Sequence, residues 1–222
     1  MPRIARVVVP GIPHHVTQRG NRRQRVFFRQ SDYRAYKTIL ARYCERENVN
    51  IWAYCLMPNH VHLILVPHTV YGLRRALAET HRRYSHVINT REGWTGYLWQ
   101  GRFESYPMDE AHLHRAVRYV ELNPVSAGIC RRPTEWEWSS TQAHLRNLAD
   151  GLVDPEPMLK RAPDWISYLA SGMTREERDL IELHGRTGRP LGSKAFVEDL
   201  EATLGRRLQP RKPGPKPAEK TA

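Results

Sequence analysis

The sequence predicts an α+β domain in which an antiparallel sheet is covered by helices on one face, and three observations lead there. Short β-favouring runs alternate with segments of helical apolar spacing, in the order β-α-β-β-α-β followed by a further helix. Pro58-Asn59 is a two-residue turn between two of the runs, which reads as a hairpin. With 222 residues, 40% of them hydrophobic, the chain can build one core and an appendage.

RVVVPGIPHHVTQRG (6–20) holds two β-favouring runs broken by Pro-Gly, and the second, His14 to Gln18, reads as a strand. The basic turn Gly20-Asn21-Arg22-Arg23 follows. From Ser31, taken as N-cap, Tyr36, Ile39, Leu40 and Tyr43 give the spacing of an amphipathic helix. NIWAYCLM (50–57) and HVHLILV (60–66) are the hairpin strands. The next helix, GLRRALAETHRRYSHVINTRE, turns Leu73, Ala76, Leu77, Thr80, Tyr84 and Val87 to the core and Arg75, Arg82 and Arg83 largely away from it. A loop from Gly93 leads into a strand that closes at Pro107. Residues 109–123 form a third helix with an acidic start, Leu113, Ala116, Val117 and Val120 mark its buried side, and Pro124 marks its end. Such a sheet leaves its other face available for a ligand.

The character changes beyond residue 131. The first 140 residues read as one domain, 141–205 as a helical extension with pieces at 174–184 and 193–206, and 206–222 as a basic, Pro-rich tail expected to be disordered alone.

A formal net charge of +12 and a pI near 10.0 favour a polyanionic partner, and nucleic acid leads. No run approaches the roughly 18 apolar residues of a membrane span, and the N-terminus lacks a signal-peptide pattern, so no membrane partner and a cytoplasmic location are expected. Cys44, Cys55 and Cys130 are odd in number and never C-x-x-C, which argues for small buried side chains rather than disulfides or a zinc ribbon.

In a strand, residues two apart share a face, so His60 and His62 project together while Val61, Leu63 and Leu65 point into the core. Two imidazoles on rigid backbone can begin a divalent-metal site. They can equally be strand histidines with no ligand, since the chain has 11 histidines. Tyr119 and Asn123 lie four apart on the third helix and so share a face; packing or a surface hydrogen bond is the ordinary role of such a tyrosine.

P-N-H-V-H-L-I-L, then R-Y-V-E-L-N-P-V-x-A-G, with H-H-V-T-Q-R-G-N-R-R-Q near the start, resembles the single-tyrosine HUH transposases. More closely, the chain resembles their REP-associated tyrosine transposase (RAYT) branch, over about residues 5 to 140. TGRPLGSKAFVEDLEATLGRRL is similar to the C-terminal extension of that branch.

The resemblance implies a ferredoxin-like sheet, the HUH endonuclease fold, acting on single-stranded DNA beside a palindromic, REP-like hairpin. It makes His60 and His62 ligands of Mg²⁺ or Mn²⁺, Tyr119 the nucleophile of a 5′-phosphotyrosine intermediate, and Asn123 the third ligand. For Asn123 the competing role is a C-terminal helix cap. The protein would work as a monomer or homodimer.

The resemblance also sets Arg19, Asn21, Arg22 and Arg23 against DNA. Arg75, Arg82 and Arg83 form a possible phosphate-binding stripe, Arg189 a minor-groove hook, and Arg206, Arg207, Arg211, Lys212 and Lys216 a source of nonspecific affinity. Trp94, Tyr97, Trp99 and Phe103 are either core or a stacking platform for unpaired bases. A DNA-binding regulator that keeps the fold without cleavage is the alternative; intact His60, His62 and Tyr119 favour the enzyme.

Overall fold

The computed structural model describes residues 4–210; the tail residues Arg211, Lys212 and Lys216 lie outside them. Strands β1 (His14–Arg19), β2 (Val49–Met57), β3 (His60–Pro67) and β4 (Glu104–Pro107) form one antiparallel sheet in the order β2-β3-β1-β4. Helix α1 (Gln30–Arg46) joins β1 to β2, α2 (Gly72–Glu92) joins β3 to β4, and α3 (Glu110–Ser126) follows β4. The predicted element order is therefore the observed one. After α3 come α4 (Thr141–Arg146), α5 (Glu156–Leu159), α6 (Trp165–Ala170), α7 (Arg175–Thr187) and α8 (Lys194–Leu204). No helix among the described residues is long and apolar enough to cross a membrane.

Strand alternation divides the apolar residues between two cores. Val16, Tyr54, Leu56, Val61, Leu63 and Leu65 pack beneath Tyr36 and Leu40 of α1 and Leu73, Leu77, Tyr84 and Ile88 of α2. Each fully buried side chain of this size contributes about 1.5–3 kcal/mol. On the opposite face Ala53, Cys55, Met57, Ile64 and Tyr106 pack against Leu113, Ala116, Val117 and Val120 of α3. This corrects the expectation of helices on one face only. The alternate positions of β2 are apolar too, and α3 covers them.

Three local expectations also change. Helix α1 begins at Gln30, because the Asp32 carboxylate accepts from the backbone N–H groups of Phe28 (2.8 Å) and Arg29 (3.0 Å), leaving Ser31 inside the first turn. In α2, Ile88 is buried and Val87 exposed, as the four-residue step from Tyr84 dictates. Pro124 does not end α3. The helix runs to Ser126, Ala127 N–H bonds Asn123 O at 2.9 Å, and Gly128 supplies the left-handed residue (φ +68°) after the last turn. Asn123 thus sits inside the helix and is not its cap.

The extension docks through polar groups as well as apolar ones. Glu121 of α3 is fully buried, and its carboxylate accepts from Ser140 Oγ (2.5 Å) and Trp165 Nε1 (2.9 Å) and meets His144 Nδ1 (2.7 Å). At the far end, Leu200 and Leu208 pack on Val7 and Val9 of the N-terminal segment.

Candidate active site

Register brings three histidines together on the α3 face of the sheet. Arg19 pairs with His60, Thr17 with His62, and His15 with Ile64 on β3 and Tyr106 on β4. His60 Nδ1–H donates to Asn59 Oδ1 at 2.6 Å, which leaves Nε2 of the neutral ring as a lone pair. His62 Nδ1 meets His15 Nε2 at 3.0 Å, and His15 Nδ1 meets the Tyr106 hydroxyl at 3.0 Å. When His62 donates along that chain, its own Nε2 presents a lone pair as well. That nitrogen is buried and has no hydrogen-bond partner among the described residues.

Burial keeps these rings neutral. It lowers His15 and His60 to about 3, with the charge of Arg19 adding to the effect on His60. His62 falls well below its ordinary value, first through burial and then through His60, His15 and Arg19. Neutral imidazole is the ligating form, so the pair fits a divalent cation with Asn59 and His15 as the outer partners. Among the described residues no group of three or more His, Cys, Asp or Glu side chains is placed to hold a metal ion by itself.

Helix α3 delivers the tyrosine. The Tyr119 ring stands edge-on to His62 at 5.4 Å and to His15 at 5.9 Å between centroids. Burial pushes its phenol above the ordinary value and Glu182 adds to this, while Arg19, a hydrogen bond with Asn123 and Arg178 work the other way. Tyr119, His60, His62, Asn123 and Arg19, chosen from sequence, therefore meet in one place. Arg178 and Glu182 come from α7, so the extension acts on the tyrosine.

The remaining cations lie elsewhere. Asn21, Arg22 and Arg23 form a short 3₁₀ turn, and Asn59 Nδ2 donates to Arg23 O at 3.0 Å, tying this basic turn to the residue that holds His60. Arg75, Arg82 and Arg83 are on α2, across the sheet from Tyr119, and pair with Glu47 or Glu79. Arg189 turns inward to Leu208 O, Arg206 donates to Arg6 O at 2.8 Å, and Arg207 to Pro210 O at 3.3 Å. Trp99 and Phe103 are buried, whereas Trp94 and Tyr97 are exposed.

Sequence reasoning missed His15, Asn59 and Tyr106 as site residues. His15 and Asn59 stand inside the quoted motifs, but only strand register assigns their partners.

Residues 8–123 match the family described as "Transposase IS200 like". No curated protein matches the chain. Among solved structures, a REP-associated tyrosine transposase bound to a REP hairpin is similar in fold, with a TM-score of 0.58 and 20% identity over 68% of this chain and 90% of the other. A candidate transposase from Deinococcus radiodurans R1 is 22% identical over 54% of this chain and 95% of its own, with a TM-score of 0.39. A family match over more than half the residues, including both histidines and the tyrosine, shows that the chain belongs to the IS200-like transposases.

Proposed function

We propose that this transposase is of the REP-associated tyrosine type and cleaves and rejoins single-stranded DNA beside a palindromic hairpin. The observation that carries the reading is the edge-on placement of Tyr119 against His62, on the sheet face that also holds His60 and Arg19. The similar fold solved on a REP hairpin supports the choice of DNA.

Tyr119 Oη attacks the scissile phosphorus, loses its proton, and forms a P–O bond to the 5′ side, while the 3′ oxygen leaves and ends as a free hydroxyl. The phosphotyrosine keeps the energy of the broken bond, so a second 3′-hydroxyl can reverse the step without ATP. Arg19 supplies positive charge to the phosphate. His60 and His62 would hold Mg²⁺ or Mn²⁺ with Asn123 as third ligand, and such an ion polarises and orients a phosphate. The phenol, pushed above its ordinary value by burial, is protonated at neutral pH and gives up its proton as the P–O bond forms.

The test is to incubate the protein with labelled hairpin oligonucleotides and Mn²⁺ and look for a covalent adduct in a denaturing gel. Tyr119→Phe should abolish the adduct and leave DNA affinity nearly unchanged, because the ring still packs. Cleavage that persists in this variant rejects the nucleophile. DNA binding by the wild type with no adduct on any hairpin favours a regulator without cleavage.

A further inference from the structure

On the other side of β1 from Tyr119, a cavity of about 490 Å³ opens between α2 and the loop that precedes β4. We propose that it takes up one unpaired nucleobase of the DNA strand that passes the active site. This rests on the single-stranded DNA reading above and adds a recognition site to it.

Two side chains that line the cavity, both nine-tenths or more buried, each carry a solvent-shielded polar atom with no hydrogen-bond partner among the described residues. Gln18 is 2% exposed; its amide nitrogen faces the carbonyls of Gln100 (3.3 Å) and Gly101 (3.5 Å), which orients the amide and leaves Oε1 as an acceptor with no donor among the described residues. Trp99 is 7% exposed, and its Nε1–H is a donor with no acceptor among the described residues. Every base carries an N–H group beside a ring nitrogen or carbonyl oxygen, so a base edge matches the donor and acceptor that these two atoms lack, once each side chain turns to present its atom to the cavity. Buried polar atoms of this kind cost stability unless something pairs with them.

The walls suit a flat π-system. His81 lies 4.8 Å from the Trp99 ring, and burial lowers it to about 3, so it is a neutral aromatic at physiological pH. Tyr97 lines the mouth and is 87% exposed, so its ring face is open for a base to stack on. Arg74 and Arg102 stand at the same cavity and can meet the flanking phosphates.

The cavity is linked to the active-site end of β1 through Arg19. A second cleft of about 260 Å³, lined by Thr17, Arg19 and Gln100, shares Gln18, Gly101 and Arg102 with the first. Arg19 is paired in register with His60. Backbone bonds from Asn21 N to Leu98 O and from Gln100 N to Arg19 O, both 2.8 Å, fasten the loop to the end of β1. A strand leaving the catalytic face past Arg19 and Arg102 can lay a base under Tyr97, against the wall that His81 and Trp99 form.

The test compares oligothymidylate with an abasic tetrahydrofuran oligomer of equal length and charge, by fluorescence anisotropy, for wild type, Tyr97→Ala, Trp99→Phe and Arg102→Ala. Thymidylate should bind wild type about tenfold tighter than the abasic strand. That gap should shrink in Tyr97→Ala, a surface change that spares the core, and in Trp99→Phe, which keeps an aromatic ring but removes the indole donor and part of the stacking surface. Arg102→Ala should weaken both oligomers alike. Oligomers carrying 5-iodouracil should photo-crosslink to the peptide that holds Tyr97 and Trp99.

Equal binding of the two oligomers, or a gap untouched by both aromatic variants, overturns the pocket. The adduct assay separates the two ideas. Adduct without base preference rejects the pocket alone, and base preference through Tyr97 and Trp99 without adduct rejects the catalytic reading alone.

Discussion

Replacing His15 by alanine takes away the group that meets His62 Nδ1, and with it the bond that sets which nitrogen of His62 carries the proton. Second-shell partners of this kind typically contribute 10–100-fold in metal affinity. His15→Ala should therefore weaken Mn²⁺ binding by roughly that factor, read by electron paramagnetic resonance titration of free Mn²⁺. Near-ultraviolet circular dichroism should show the core intact, and His15→Gln, which can still accept from Nδ1–H, should recover part of the loss. Unchanged Mn²⁺ affinity in His15→Ala would remove the histidine from the site. His15 was visible in the sequence as part of a motif but not as a partner, because the groups it joins, His62 and Tyr106, are 47 and 91 residues away. Only the register of three strands brings them together.

A single helix carries both Tyr119 and Asn123, and its continuation through Pro124 keeps the two a turn apart. Asn123→Ala should raise the Mn²⁺ concentration needed for adduct formation while changing thermal stability little, since the position is half-buried and alanine favours helix. A lower melting temperature with an unchanged metal requirement would assign Asn123 to the tyrosine alone. Much of this element level was legible beforehand. Period-two runs located the strands, and the 113, 116, 117, 120 stripe located α3. The C-terminus of α3 was not legible, because a proline costs one hydrogen bond and a buried Pro124 recovers that loss in packing against partners that a local pattern does not contain. The cover that α3 gives to the second sheet face was hidden for the same reason.

The extension and the catalytic sheet are joined through α3 by Glu121, whose carboxylate receives Ser140 and Trp165 and meets His144, 19, 44 and 23 residues away. Removing one member of a buried charged network typically costs 3–5 kcal/mol. Glu121→Ala should lower the urea midpoint accordingly, and a loss of under about 1 kcal/mol would show that apolar contacts alone dock α4 and α6. His14 ties in the other end of the molecule. Its Nε2 accepts from Val9 N–H at 3.3 Å and its Nδ1–H donates to Ile12 O at 2.7 Å, so protonation must break the first bond and loosen the segment that packs on α8. Burial lowers His14 from 6.5 to about 4, despite backbone bonds that raise it. The unfolded chain therefore binds the proton first as pH falls below 6.5, and His14 alone lowers stability by about 1.4 kcal/mol per pH unit until the folded group titrates near 4. Carboxylates held low by partners, such as Asp32 and Asp109, act at lower pH. His15, His60, His62 and His81, also lowered by burial, add to the decline in the same window, so substituting His14 is needed to isolate its share. Urea unfolding followed between about pH 7 and about pH 4.5 should show the decline, and His14→Gln, which can keep both bonds without titrating, should flatten the slope by one proton. An identical slope in that variant would mean that His14 gains its proton as readily in the folded chain as in the unfolded one, and that its two bonds do not hold the N-terminal segment in place.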